Sequence, residues 1–94
     1  MNQDLSNRER KKLRKLAHSL KPIVMIGQHG FSVAVVSEID TALIAHELIK
    51  IRVRGFKREE RQNKVEEIAK ELNAQIVSIV GGVVTMFREA SETD

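Results

Sequence analysis

The chain has 94 residues, 41% of them hydrophobic and 31% charged, with no cysteine and a formal net charge of +3. That length supports one hydrophobic core and not two, and the lack of cysteine excludes a disulfide, a thiolate metal site and a thiol nucleophile. Phe31, Phe56 and Phe87 are the only aromatic residues, so the core must be aliphatic and recognition by stacking bases on several rings is not expected.

Taken in chain order, residues 1–5 are expected to fray. The polar, charged start carries no signal-peptide pattern, and no apolar run is long enough to cross a bilayer. Ser6 is placed as a helix N-cap with Glu9 three residues on, the spacing of a capping box. The helix should run to about Leu20 and stop before Pro22, whose ring also disfavours helical geometry at Lys21. Leu13, Leu16, Ala17 and Leu20 then share one face, with Arg8, Lys11, Arg14, Lys15 and His18 on the other. Ile23–Ile26 is apolar without alternation, which predicts a strand covered on both faces. Ser32 should cap a second helix reaching about His46, with Val36, Ile39 and Leu43 turned inward.

Clean alternation follows, with Ile49, Ile51 and Val53 on one face and Lys50, Arg52 and Arg54 on the other, so a strand with a buried and a basic side is expected. Gly55-Phe56 marks a turn. A third helix carries Val65, Ile68, Ala69 and Leu72 as its stripe, ends near Asn73, and has Glu59 and Glu60 in its first turn, where they suit the helix dipole. Two β-rich runs, Ile76–Val80 and Val83–Phe87, meet at Gly81-Gly82, a strong hairpin signal. Residues 89–94 read as a disordered acidic tail behind a single domain, 1–88.

The order α-β-α-β-α-β-β predicts an α/β fold, two-layer-like in the α+β sense, with a mixed four-stranded sheet. Each strand–helix–strand unit should yield parallel neighbours and the closing hairpin an antiparallel pair. The first helix is expected to cover part of the second sheet face, and the basic second strand to lie nearer an edge, exposed.

Charge is distributed very unevenly. Fourteen of the 16 basic residues fall within 1–22 and 50–64, while the rest of the chain holds Lys70 and Arg88 against nine acids. One basic and one acidic surface follow, and a basic patch of this kind is the footprint of a polyanion binder. The loop Gly27-Gln28-His29-Gly30 joins a strand to a helix. In KH-type domains a G-x-x-G at such a junction clamps a single-stranded nucleic-acid backbone. Glycines permit the tight turn, and the following helix start offers free N–H groups to a phosphate. The bland alternative is an ordinary strand–helix turn. Lys50, Arg52 and Arg54 repel one another on one strand face, an arrangement that an anionic partner relieves, although edge protection would use the same residues. Arg58 and Arg61 project to the side of Val65 and Leu72, where they either reach phosphates beside the basic strand or snorkel. The basic face of the first helix reads equally as a solubility feature or as a docking arm.

Three histidines, His18, His29 and His46, lie on separate elements without ligand spacing, so no metal is expected. Glu66, Glu67 and Glu71 form a solvated helix face. No nucleophile or acid/base constellation is present, and neither catalysis nor a cofactor is expected.

Three stretches add a family resemblance. Leu20-Lys21-Pro22-Ile23-Val24-Met25-Ile26-Gly27-Gln28-His29-Gly30-Phe31-Ser32, His46-Glu47-Leu48-Ile49-Lys50-Ile51-Arg52-Val53 and Gly81-Gly82-Val83-Val84-Thr85-Met86-Phe87-Arg88 resemble, in order, the motifs of the CRM domain (chloroplast RNA splicing and ribosome maturation). The similarity spans roughly residues 5–88 and is to the stand-alone bacterial YhbY type. It implies a fold similar to the C-terminal domain of bacterial translation initiation factor three, and binding to RNA in precursors of the large ribosomal subunit. In related chains the inner loop positions often include Lys or Arg, where this chain has Gln28 and His29. The final strand often carries Tyr before Arg, and here it is Phe87.

The combined expectation is a monomeric, non-enzymatic RNA-binding protein of the cytoplasm, with no membrane or small-molecule partner. Gly27, Gln28, His29 and Gly30 would clamp one backbone segment, Lys50, Arg52, Arg54, Lys57, Arg58 and Arg61 would neutralise neighbouring phosphates, and Lys11, Arg14 and Lys15 would extend the footprint. The alternative is a protein-interaction module that docks its basic face on an acidic protein.

Overall fold

The computed structural model describes residues 5–27 and 29–90; the expected fraying of residues 1–4, the loop position Gln28 and the acidic end 91–94 lie outside them. The elements follow the predicted order: α1 (Asn7–Ala17), β1 (Pro22–Ile26), α2 (Val33–His46), β2 (Leu48–Val53), α3 (Arg58–Glu71), β3 (Gln75–Val80) and β4 (Val83–Phe87). They build a mixed four-stranded sheet in the order β1-β2-β4-β3, with β1 parallel to β2 and β4 antiparallel to both its neighbours.

Alternation assigns the two sheet faces. Ile49, Ile51 and Val53 of β2 point the same way as Val24 and Ile26 of β1 and Val84 and Met86 of β4, and all seven are buried against Ile39 and Leu43 of α2 and Val65, Ile68 and Ala69 of α3. The core is thus the aliphatic one that the composition requires. On the other face α1 lies across β2 and β3, burying Ala17, while Val77 and Thr85 are buried on the strands that line its flank.

Four expectations need correction. β1 is covered on one face only: Ile23 and Met25 are 47% and 58% exposed, because α1 crosses β2 and β3 and leaves the outer strand bare. β2 is not near an edge but lies second, hydrogen-bonded to β1 and β4. Period-two alternation reports that one face is covered and says nothing about a strand's place in the sheet. β2 and β3 are parallel but not neighbours, since β4 folds back between them and buries Val84 and Met86 in the middle of the core. Finally, α1 ends at Ala17, with His18 as its C-cap. Its inward face runs through half-buried Arg10 and Leu13 to Ala17, and Leu16 is 56% exposed.

Local signals hold at the element ends. The Ser6 hydroxyl accepts the Glu9 N–H at 3.1 Å and the Glu9 carboxylate accepts the Ser6 N–H at 2.9 Å, a complete capping box. Ser32 caps α2 by accepting the Val35 N–H at 3.2 Å. The end of β4 is fastened by Arg88, whose Nη1 donates to Asp40 Oδ1 at 2.7 Å and to the Leu72 carbonyl at 2.9 Å. Residue 89 begins the predicted tail, yet Ala90 donates its N–H to the Glu47 carboxylate at 2.6 Å.

Candidate nucleic-acid interface

β1, β2 and β3 run in one direction, so their C-terminal ends gather at one rim together with the starts of α2 and α3 and the tip of the β3–β4 hairpin. The G-x-x-G loop occupies the β1 corner of that rim. Gly30 donates its N–H to the Gly27 carbonyl at 2.9 Å, closing a four-residue turn. Gly30 has φ +66°, a conformation that favours glycine. A side chain there would also meet the Phe56 ring, whose Cζ lies 3.3 Å from the position of a Cβ. Phe56 packs in turn against Phe31, with ring centroids 6.0 Å apart. The Gly27 position is different: nothing lies within 4 Å of where its Cβ would be. One glycine is therefore needed for packing beneath the loop, and the other leaves the upper side open to an approaching chain.

The segment after β2 braces this corner. Arg54 donates its N–H to the Ile26 carbonyl at 2.9 Å, joining the end of β2 to the residue before the loop. Its side chain, and those of His29, Lys57 and Arg58, are exposed around the same corner. Arg61 has another role: it is half-buried, with Nη1 on the Phe56 carbonyl at 3.5 Å and Nε enclosed without a hydrogen-bond partner. It supports the Phe56 turn and presents less of its charge to solvent.

The two helix starts at this rim are electrostatically unequal. α3 already has Glu59 and Glu60 in its first turn, and the Glu60 carboxylate accepts the Lys57 N–H at 3.3 Å. Those acids offset the positive helix end and oppose a phosphate there. α2 has no acid in its first turn, and Val33 is 88% exposed. The anion-attracting helix end is therefore the one that the G-x-x-G loop opens onto.

Not all predicted site residues meet at this corner. Gly27, His29, Gly30, Arg54, Lys57, Arg58 and Arg61 do, and Gln28 is outside the described residues. Lys50 and Arg52 are half-buried on the α1 side of the sheet, and Arg52 Nε is enclosed without a partner. Lys11 and Lys15 are exposed on α1, while Arg14 turns into a groove beside the β3–β4 hairpin together with Arg10, His18 and Lys50. Sequence reasoning missed Arg10, His18 and the buttressing role of Phe56. Residues 10, 14, 17 and 18 do share a helical face, but only knowing that Ala17 is buried identifies it as the face turned towards the sheet. Among the described residues no group of three or more His, Cys, Asp or Glu is placed to hold a metal, and no helix is long and apolar enough to cross a membrane.

Comparison with known proteins agrees with this architecture. The family model of the CRS1 / YhbY (CRM) domain matches residues 5–88. An RNA-binding protein of Haemophilus influenzae is 39% identical over 88 residues, covering 94% of this chain and 89% of that protein. The Bacillus subtilis protein YqeI, a candidate RNA-binding protein, is 31% identical over 88 residues, with 94% and 92% covered. A solution structure from Staphylococcus aureus, also of a candidate RNA-binding protein, superposes with a TM-score of 0.81 at 28% identity, over 96% of this chain and 94% of that one.

Proposed function

The chain belongs to the CRS1 / YhbY (CRM) domain family, and from that premise we propose that it is a non-enzymatic RNA-binding protein whose principal contact is the Gly27–Gly30 corner. One observation carries the reading. The open turn leads into a helix start free of acids, while Arg54, Lys57 and Arg58 surround it with exposed positive charge. Backbone N–H groups at a turn and a helix start recognise phosphates without reading sequence, so affinity is set here, and specificity follows from RNA shape and single-stranded segments. The relatives named as RNA-binding proteins support the class of ligand. The finer target, ribosomal RNA in precursors of the large subunit, is what the family resemblance implies; action as a monomer in the cytoplasm is part of the same proposal and rests on composition alone.

The test is binding to large-subunit ribosomal RNA, comparing the unsubstituted protein with a Gln28→Asp/His29→Asp double variant, with circular dichroism to confirm folding. Two carboxylates at the turn repel a clamped phosphate, so affinity should fall about tenfold or more. Undiminished affinity in a folded variant would reduce the loop to a simple turn. A nuclease-insensitive association with large particles in a lysate would favour a protein partner instead.

A further inference from the structure

On the sheet face opposite α2 and α3, a groove of about 730 Å³ runs between α1 and the β3–β4 hairpin. We propose that it is a second nucleotide-binding site, which takes the continuation of a single-stranded RNA clamped at the G-x-x-G corner. The assignment rests on RNA being what that corner binds.

Three features of the groove carry the inference. First, Arg10, Arg14 and His18 of α1 face Lys50 of β2 across it, and none of the described residues lining it is acidic. Cations brought together from two elements without a carboxylate repel one another, and an anion relieves that cost. Arg10 is fixed in place by an Nη1 bond to the Ile76 carbonyl at 3.3 Å, so its guanidinium does not have to be ordered on binding. Second, the opposing wall includes Val80 and Val83, and Val80 is 72% exposed. An aliphatic surface beside planar guanidinium groups suits an unstacked base, which packs on apolar and Arg planes where no ring is available.

Third, the hairpin that walls the groove is joined through backbone hydrogen bonds to the rim that carries the loop. At the hairpin tip Gly82 accepts the Val53 N–H at 2.7 Å, and the next residue, Arg54, donates to the Ile26 carbonyl at 2.9 Å. Hairpin tip, end of β2 and loop thus form one rim. At about 4.8 Å between strands, the three spacings from β1 to β3 amount to roughly 14 Å, a distance that a few nucleotides span. Arg52, flanked by Met25 of β1 and Val83 of β4, lies on the groove face of the strand between the two ends of this path. An acidic peptide would satisfy the charges, but nothing about it explains why the groove's hairpin wall is tied to the rim that carries the G-x-x-G corner.

The test uses the full chain and two fluorescent single-stranded RNAs: one of about four nucleotides, the length a G-x-x-G loop clamps, and one about twice as long. The longer RNA should bind more tightly. Val80→Ser, a neutral change at an exposed site, should weaken the longer RNA about threefold and leave the short one unaffected. Arg10→Gln/Arg14→Gln should weaken the longer RNA about tenfold or more, with circular dichroism to confirm folding. If both RNAs lose affinity equally in each variant, or neither does, the groove is not a site. Binding of oligoglutamate that Arg10→Gln/Arg14→Gln abolishes, with neither RNA affected by that variant, would assign the groove to an acidic peptide and overturn the proposal. If the unsubstituted protein binds neither RNA, the reading it rests on falls with it. Loss in the Gln28→Asp/His29→Asp variant without loss in the groove variants overturns the groove alone.

Discussion

At the scale of single residues, the glycines separate stability from binding. A Cβ at Gly82 would sit 2.8 Å from the Val53 carbonyl oxygen, and backbone cannot swing aside as a flexible side chain can. Gly82→Ala should therefore cost about 1–3 kcal/mol of stability in urea unfolding, the usual penalty of overpacking. It should also shift the Val53 and Arg54 amide resonances, because the hairpin tip is bonded to the end of β2. Gly27→Ala meets nothing within 4 Å and should change stability by no more than about 0.5 kcal/mol. Its methyl group projects where an RNA backbone would approach, so it should weaken RNA binding while the urea midpoint holds. The reverse pattern, a destabilised protein with intact binding, would count against the clamp. Arg88 is a purely structural case. Its guanidinium ties Asp40 of α2 to the Leu72 carbonyl after α3, with side-chain exposures of 18% for Arg88 and 41% for Asp40. Given that partial exposure, Arg88→Ala should cost about 1–2 kcal/mol, and Arg88→Lys should recover only part of it, because one ammonium nitrogen cannot stand in for both Nη1, on Asp40 Oδ1 and the Leu72 carbonyl, and Nη2, on the Asp40 carbonyl.

At the scale of elements, α1 depends on its cap more than on its packing, since Ala17 is the one residue in it that is fully buried. Ser6→Ala should reduce stability by about 1 kcal/mol, with the loss showing first as reduced helicity of α1. Acid should have a similar effect. The Ser6 N–H, and secondarily the Ser6 hydroxyl, hold the Glu9 carboxyl below the usual glutamate range. A carboxylate lowered in the folded state stabilises it above the unfolded pKa, and that stabilisation is lost as the pH falls through the folded value. The Ser6 and Glu9 amides should thus lose hydrogen-exchange protection on acidification, and Glu9→Gln should flatten the response. An unchanged acid profile in Glu9→Gln would mean that another carboxylate governs it. The contrast between the starts of α2 and α3 belongs to the same scale. Both helices reach the same rim, but the acids at the start of α3 leave only α2 suited to an anion.

At the scale of the whole molecule, charge and topology act together. Cations gather at the rim and along α1, while Glu66, Glu67 and Glu71 are exposed on α3. Such a dipolar surface steers a polyanion towards one side and orients it on approach. If about five phosphates are engaged, the logarithm of affinity should fall with the logarithm of salt concentration with a slope of about −3 to −5. Removing the loop contact should make the slope shallower by about one for each phosphate lost. A slope near zero would point to a largely apolar interface and overturn the electrostatic account.

What the sequence by itself determined is local: which stretches are helix or strand, where the caps and the hairpin fall, and that a G-x-x-G turn opens onto a helix. Ser6 with Glu9, Ser32, the alternation from Ile49 to Val53 and Gly81-Gly82 each encode structure within a few residues, where backbone hydrogen bonding and side-chain period decide the outcome. Only the tertiary structure decided where the elements lie. The insertion of β4 between β2 and β3, the bare outer face of β1, the half-burial of Lys50 and Arg52 on the α1 side of the sheet, and the meeting of Arg10 and Arg14 with the hairpin all depend on residues far apart in the chain. Periodicity reports that a face is covered but not by what. Strand order and the covering of the second face follow from the requirement that every apolar face find a partner at once, a condition that no single segment carries.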